Sequence, residues 1–255
     1  MGQTDGMDLD RYLVRIGLDS PPPLDIGGLE ALQRAHLTRV PFENLHVFHH
    51  RGVRTGADWS IPKIVDEGRG GWCFELNGAF AVLLEAIGFE VTLLGATVLL
   101  DGSSPGPAPD HATIRVDLDR PYLVDVGFGN SFILPLPLDN DGPHDGGPHR
   151  YRFSREDEQT TLQMETGDAW VPQYRFSMSP VTSADFDPSN HHLQTAPGVG
   201  FQKAPFATRL LEGGPDRVTL VHDLLKIRRG GDWVETRVTD DEWAEVLREW
   251  FGMDP

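Results

Sequence analysis

Apolar positions in the first third of the chain recur at helical spacing. Leu9, Leu13 and Ile16 share one face of a short helix that Asp8 caps and Gly17 ends. Pro21-Pro22-Pro23 is a rigid spacer, and a second helix runs from Ile26 to Leu37 with Leu29, Leu32 and Leu37 on one side. Pro41-Phe42-Glu43-Asn44-Leu45 breaks it. Ile61 to Glu67 reads as a further helical piece leading into Gly70-Gly71, and Phe74 to Ile87 is the strongest helix, stopped by Gly88.

The pattern then shifts towards strands. Phe89 to Leu100 is rich in β-branched residues, His111 to Leu118 alternates apolar with polar, and Tyr122 to Val126 completes a hairpin turning near Asp119-Arg120. A Gly/Pro/Ser loop from Gly102 to Pro109 precedes His111, and a Gly/Pro/His/Asp loop, expected to be mobile, spans Asp139 to His149. Tyr151 to Phe153, Thr160 to Met164 and Val171 to Phe176 are further strands of an antiparallel sheet or barrel. Asp187 to Pro205 is rich in turn residues. Val218 to Ile227 and Asp232 to Val238 read as strands joined at Gly230-Gly231, and Asp240 to Phe251 is a closing amphipathic helix capped by Thr239 or Asp240. No internal repeat is visible.

Composition is that of a soluble globular protein: 255 residues, 39% hydrophobic and 24% charged. Acidic residues outnumber basic ones by 39 to 22, a net charge of −17 that argues against nucleic acid and anionic membranes as partners. An anionic ligand would therefore need local lysines, arginines or backbone amides. One cysteine excludes an internal disulfide, the polar N-terminus lacks a signal peptide's apolar core, and no apolar run reaches membrane-span length. A cytoplasmic location is expected.

That cysteine, Cys73, stands where Arg69-Gly70-Gly71-Trp72 turns into the strongest helix. A helix N-terminus offers unpaired amides and a positive dipole end, which favour a reactive thiolate. Among ten histidines, the adjacent pairs His49-His50 and His191-His192 lack metal-ligand spacing, and His144 and His149 fall in the polar loop. No metal site is expected. His111 opens a strand directly after Asp110, and Asp125 ends the next one. If those strands pair, Asp125 can orient His111 towards Cys73 in a nucleophile, base and acid arrangement. From spacing alone, a strand-end histidine and a turn aspartate are more often structural.

Arg69-Gly70-Gly71-Trp72-Cys73-Phe74-Glu75-Leu76-Asn77 resembles the active-site signature of the arylamine N-acetyltransferase family. Val40-Pro41-Phe42-Glu43-Asn44-Leu45 resembles its second signature, and His111 followed by Asp125-Val126-Gly127-Phe128-Gly129 its third and fourth. Tyr12 to Gly17 also has the family's look, whereas the second half resembles it more loosely, through Asn190 and Phe201 to Leu210.

The resemblance implies an α+β fold with a cysteine-protease-like catalytic core. A helical bundle at 1–88, an antiparallel β-barrel at 89–186 and an α/β lid at 187–255 are expected. It implies Cys73, His111 and Asp125 as catalytic residues, Phe42, Val98 and Phe128 at the acceptor site, and Gly127 and Gly129 against the co-substrate acetyl-CoA. The expected acceptors are arylamines, arylhydroxylamines or arylhydrazines, acetylated by a ping-pong route through acetyl-cysteine in xenobiotic metabolism, by a monomer or homodimer.

Arg69 and Glu43 read as a buried ion pair, Asn77 as a brace and Trp72 as packing beneath the turn. Lys203, Arg209 and the Lys226, Arg228 and Arg229 group are the candidates for the CoA phosphates. A macrolactam-forming amide synthase with the same triad is the nearest alternative, a cysteine hydrolase a more distant one, and a non-enzymatic binding module a third.

Overall fold

The computed structural model describes residues 8–100, 106–198 and 200–254. In chain order the elements are α1 (Leu9–Ile16), α2 (Ile26–Arg39), β1 (Phe42–Glu43), α3 (Leu45–Phe48), α4 (Ala57–Val65), α5 (Cys73–Ile87), β2 (Glu90–Val98), β3 (His111–Asp117) and β4 (Pro121–Val124). They continue as β5 (Leu136–Pro137), β6 (His144–Asp145), β7 (Arg150–Glu156), β8 (Gln159–Thr166), β9 (Ala169–Pro180), α6 (Asp187–Thr195), β10 (Phe206–Leu210), β11 (Arg217–Val221), β12 (Leu224–Arg229), β13 (Asp232–Arg237) and α7 (Asp240–Phe251). The fold is α+β, with a helical N-terminal region, a nearly closed antiparallel barrel and a C-terminal sheet-and-helix unit.

Local chemistry accounts for the helix ends. The Asp8 side chain accepts the Arg11 N–H, and Gly17 closes α1 in the left-handed region at φ 82°. Gly88 does the same for α5 at φ 116°. α5 is apolar on nearly every side and runs through the core, where Leu76, Phe80, Leu83 and Leu84 are fully buried beside Tyr12, Leu29 and Leu32. A fully buried Phe or Leu contributes about 1.5–3 kcal/mol relative to an exposed one, so this helix is held by packing rather than by propensity.

Eight strands form the barrel sheet in the order β5-β4-β3-β2-β9-β8-β7-β6. Its two edges approach each other where the Ile133 N–H donates to Gly146 O at 2.8 Å. The hairpin at Asp119-Arg120 forms as the pattern predicts, pairing Ile114 with Val124 and Asp117 with Pro121. A second, five-stranded sheet has the order β1-β10-β11-β12-β13. Its edge strand β1 lies beside Gly71, whose carbonyl accepts the Glu43 N–H at 2.9 Å. The loop before Cys73 is thereby fixed to that sheet.

Several elements differ from the sequence expectation. Asp187–Thr195 is a helix, not a run of turns: Pro188 occupies its first turn, where no N–H is required. Val218 to Ile227 is two strands, because His222 takes a positive φ of 56° and turns the chain. β10 has no counterpart in the predicted strands. α4 begins at Ala57, ahead of Ile61, and accommodates Pro62 within it. Asp139 to His149 contains β6, and His144 packs on Phe153 with ring centroids 5.7 Å apart, so it is not a freely solvated side chain. Part of the predicted Gly102 to Pro109 loop lies outside the described residues. No helix among the described residues is long and apolar enough to cross a membrane.

Candidate active site

Three elements converge on Cys73. α5 begins at Cys73 itself, and the Trp72 N–H donates to Glu75 Oε2 at 3.2 Å, which fixes its first turn. β3 begins at His111, directly beneath β2. Asp125 follows the last residue of β4, so the predicted hairpin carries it to the end of β3 that begins with His111. His111 Nε2 and Asp125 Oδ2 are 2.7 Å apart, and both residues are about 2% exposed or less. With Nε2 turned to the carboxylate, Nδ1 is the ring nitrogen left for the thiol.

Burial disfavours a charged imidazole. The Asp125 carboxylate, through its charge and hydrogen bond, together with Cys73, outweighs that penalty and raises the His111 pKa to about 10. The Cys73 thiol is buried beside His111 and also makes a long 3.9 Å approach to Asp110 O.

Asn77, one turn along α5, binds this assembly together. Its Nδ2 donates to Asp125 Oδ1 at 2.8 Å and to Ala112 O at 2.5 Å, while its Oδ1 accepts the Val126 N–H at 2.9 Å. The Gly127 N–H donates to Asp125 Oδ1 at 2.9 Å. The expected bracing role of Asn77 is visible in these bonds. Glycine is required at 127 because a Cβ there would lie 2.7 Å from Asn77 Nδ2 and 2.8 Å from Cys73 Cα. That close approach is to α5, which is a different reason from contact with CoA. Gly129 adopts a left-handed φ of 76°, which favours glycine at that position.

An aromatic shell surrounds the imidazole. Phe128 and Tyr174 stand 5.0 and 4.9 Å from the His111 ring, centroid to centroid. Val98 is the register partner of Tyr174, and its N–H donates to the Asp110 carboxylate at 2.8 Å. Of the candidate acceptor residues, Phe128 and Val98 therefore lie on the imidazole side. Phe42 lies beside Gly71, with Phe201 and Phe206 at 6.4 and 6.0 Å, and its ring also reaches the end of the Phe128 loop, where a Cβ at Gly129 would stand 3.8 Å from Phe42 Cδ1.

A buried charge network underlies the Cys73 loop. Lys63 Nζ lies 2.8 Å from Glu75 and 3.6 Å from Glu43, and Arg69 lies 3.9 Å from Glu43. The predicted Arg69–Glu43 pair is thus the outer part of a larger cluster centred on Lys63. Burial opposes the charge on Lys63, but Glu75 and Glu43 more than compensate and raise its pKa. Arg15 of α1 adds a clamp, donating to Ile64 O, Arg39 O, Gly68 O and Arg69 O.

The model of the N-acetyltransferase family matches residues 25–254. An arylamine N-acetyltransferase of Mycolicibacterium smegmatis is 37% identical over 203 residues, covering 76% of this chain and 74% of its own. The chain belongs to the arylamine N-acetyltransferase family. The solved arylamine N-acetyltransferase of Salmonella typhimurium superposes with a TM-score of 0.90 at 28% identity, covering 96% of this chain and 90% of its own. That of Mycobacterium marinum, in complex with CoA, has a TM-score of 0.86 at 29% identity and covers 96% and 93%. This chain is accordingly an acyl-CoA-dependent acyltransferase of that family.

Within this family member, some residues at the site carried no sequence signal. Tyr174 reads as one alternating position of a strand, and only the β2–β9 register brings it to His111. Its hydroxyl pairs with Thr113 Oγ1 at 3.3 Å, and burial, then the Asp125 charge, push its pKa well up. Lys63 reads as a surface lysine because nothing local shows that Glu43 and Glu75 surround it. Among the candidates for CoA phosphates, Arg209 is engaged elsewhere, donating to Trp250 O and Thr38 O at 2.5 and 2.7 Å. Lys226 pairs with Glu235 at 2.9 Å.

Proposed function

We propose that this chain transfers an acetyl group from acetyl-CoA to an arylamine, arylhydroxylamine or arylhydrazine in two half-reactions through acetyl-Cys73. The observation that carries the reading is the buried 2.7 Å His111–Asp125 pair set beside a cysteine at the first position of α5. The CoA complex of the M. marinum relative supports an acyl-CoA donor.

In the first half-reaction His111 accepts the Cys73 proton. The thiolate attacks the thioester carbonyl, a C–S bond to Cys73 forms, and the C–S bond to CoA breaks. The departing CoA thiolate takes the proton held by the imidazolium. First-turn amides of α5 without intrahelical acceptors are suited to the transient oxyanion. In the second half-reaction the neutral amine attacks acetyl-Cys73, His111 takes its proton, and the Cys73 sulfur leaves.

Aromatic amines are neutral near pH 7 and enter an apolar pocket without losing an ion's hydration. Phe42, Val98 and Phe128 line that pocket in this reading, and the Gly127-Phe128-Gly129 loop faces the donor. Asp125 holds the imidazole in orientation and favours its charged form, as the raised His111 pKa requires.

Mass spectrometry of the intact protein after mixing with acetyl-CoA tests this. The expected result is one acetyl adduct on Cys73 that disappears when an arylamine is added and is absent in His111→Ala. Folded protein that forms no adduct would overturn the reading.

A further inference from the structure

The candidate acceptor residue Val98 ends β2, and a polar side chain flanks it from each neighbouring strand. On the β9 side stands Gln173, 3% exposed, whose main-chain carbonyl accepts the Leu99 N–H at 2.8 Å. On the β3 side stands Asp110, whose carboxylate accepts the Val98 N–H at 2.8 Å.

Gln173 owes its direction to a bulge. Leu162 pairs with Tyr174 and Gln163 with Pro172, so Gln173 has no register partner on β8. Regular alternation would turn Gln173 away from Tyr174, but the extra residue leaves both buried on one side of β9. That side is the imidazole's, since the Tyr174 ring lies 4.9 Å from His111 and 5.0 Å from Phe128. Gln173 Nε2 donates to Val171 O at 2.9 Å, while Oε1 accepts no hydrogen bond among the described residues.

Asp110 is half-buried, and no lysine or arginine pairs with it among the described residues. Burial raises its pKa, while the Val98 N–H and the His111 charge hold it down. Its main-chain oxygen is the one that comes within 3.9 Å of Cys73 Sγ, so the residue sits at the edge of the candidate site.

A buried amide oxygen without a donor loses its hydration and gains nothing in return. A ring hydroxyl or second amine on the acceptor supplies the missing donor. The Asp110 carboxylate repels an acidic acceptor, which would bring a second negative charge against it. We infer that Gln173 and Asp110 set acceptor specificity: they favour arylamines with a second hydrogen-bond donor on the ring and disfavour those with a carboxylate. This rests on the arylamine reading and narrows its acceptor class.

The test uses para-aminophenol, para-methoxyaniline and para-aminobenzoate as acceptors. The first two donate electrons to the ring similarly, but only the phenol has a ring O–H. Wild type shows the higher kcat/KM with para-aminophenol. Gln173→Met keeps the length of the side chain and lowers that preference about fivefold, the size of one hydrogen bond. Asp110→Asn keeps an acceptor for the Val98 N–H, removes the charge and raises kcat/KM for para-aminobenzoate about fivefold or more.

Ligand-observed NMR titration with phenol and anisole reads the pocket without turnover: wild type binds phenol more tightly, and Gln173→Met loses the difference. An unchanged aminophenol preference in folded Gln173→Met, or wild type that binds anisole as tightly as phenol, overturns the role of Gln173. An unchanged para-aminobenzoate rate in Asp110→Asn overturns that of Asp110. A Gln173-dependent phenol preference in a protein that acetylates none of the three amines upholds the polar pocket and sinks the arylamine reading instead.

Discussion

Gly127→Ala isolates the link between the Asp125 loop and the nucleophile. The added Cβ would stand 2.8 Å from Cys73 Cα, 3.2 Å from Cys73 O and 2.7 Å from Asn77 Nδ2. Two carbons prefer about 3.5–4.0 Å, so the loop and the start of α5 must part by roughly 1 Å. No rotamer relieves this, because the obstacle is the backbone of Cys73 itself. Overpacking of this kind costs about 1–3 kcal/mol, or up to about 10 °C in Tm for a chain of this size. The functional loss should be larger, since a misplacement of about 1 Å at reacting groups costs on the order of a hundredfold in rate.

Gly129→Ala is the control. It meets only ordinary contacts at 3.8 Å and carries the backbone strain of a φ of 76°. Differential scanning calorimetry and iodoacetamide alkylation of Cys73 measure both variants. The expected outcome is a lower Tm in each, with alkylation slowed far more in Gly127→Ala. Alkylation of Gly127→Ala at the wild-type rate would refute the packing argument and leave glycine at 127 without a steric reason.

Asp125→Asn keeps the shape of the hydrogen-bonded group and removes its charge. Burial is then opposed only by Cys73 and the raised pKa of His111 falls, so less of the imidazole is charged at pH 7 and the thiolate–imidazolium pair is weakened. Alkylation, flat with pH in wild type between about pH 6 and 9, becomes slow and rises with pH, and acetyl transfer drops about a hundredfold or more; a flat, fast profile in the variant would contradict this. Lys63→Met strands Glu75 and Glu43 in the core and lowers stability by about 3–5 kcal/mol. Burial already raises the Glu75 pKa, so native Glu75 takes up a proton more readily than the unfolded residue, and the deficit should narrow as pH falls. Urea unfolding of both proteins at several pH values checks the sign.

Much of this fold was legible in local pattern. Asp8, Gly17 and Gly88 mark helix ends because caps act over one turn, and the α5 run from Phe74 to Ile87 is too long and too apolar to be anything but a core helix. Errors fell where local chemistry is ambiguous. Asp187-Pro188-Ser189-Asn190 suits both a turn and a helix start, and packing chose the helix when Asn190 bonded Val53 O and Ser189 bonded Pro109 O.

For the site, Cys73, His111 and Asp125 could be named from motif and order along the chain. Their chemistry needs only residue types that the motifs contain, and a two-strand hairpin is short enough to predict their meeting. Tyr174 and Lys63 could not be named. A tyrosine in an alternating strand and a lysine in a helix are each ordinary by themselves. What distinguishes them is a partner more than ten residues away in sequence. The β2–β9 register brings Tyr174 to the imidazole, and the approach of α4 to α5 encloses Lys63 between two glutamates. Local sequence specified caps, strands and the order of the candidate site residues because those are read from motifs and neighbours along the chain. Burial of charge depends on which distant surfaces meet, and only the folded chain decides that.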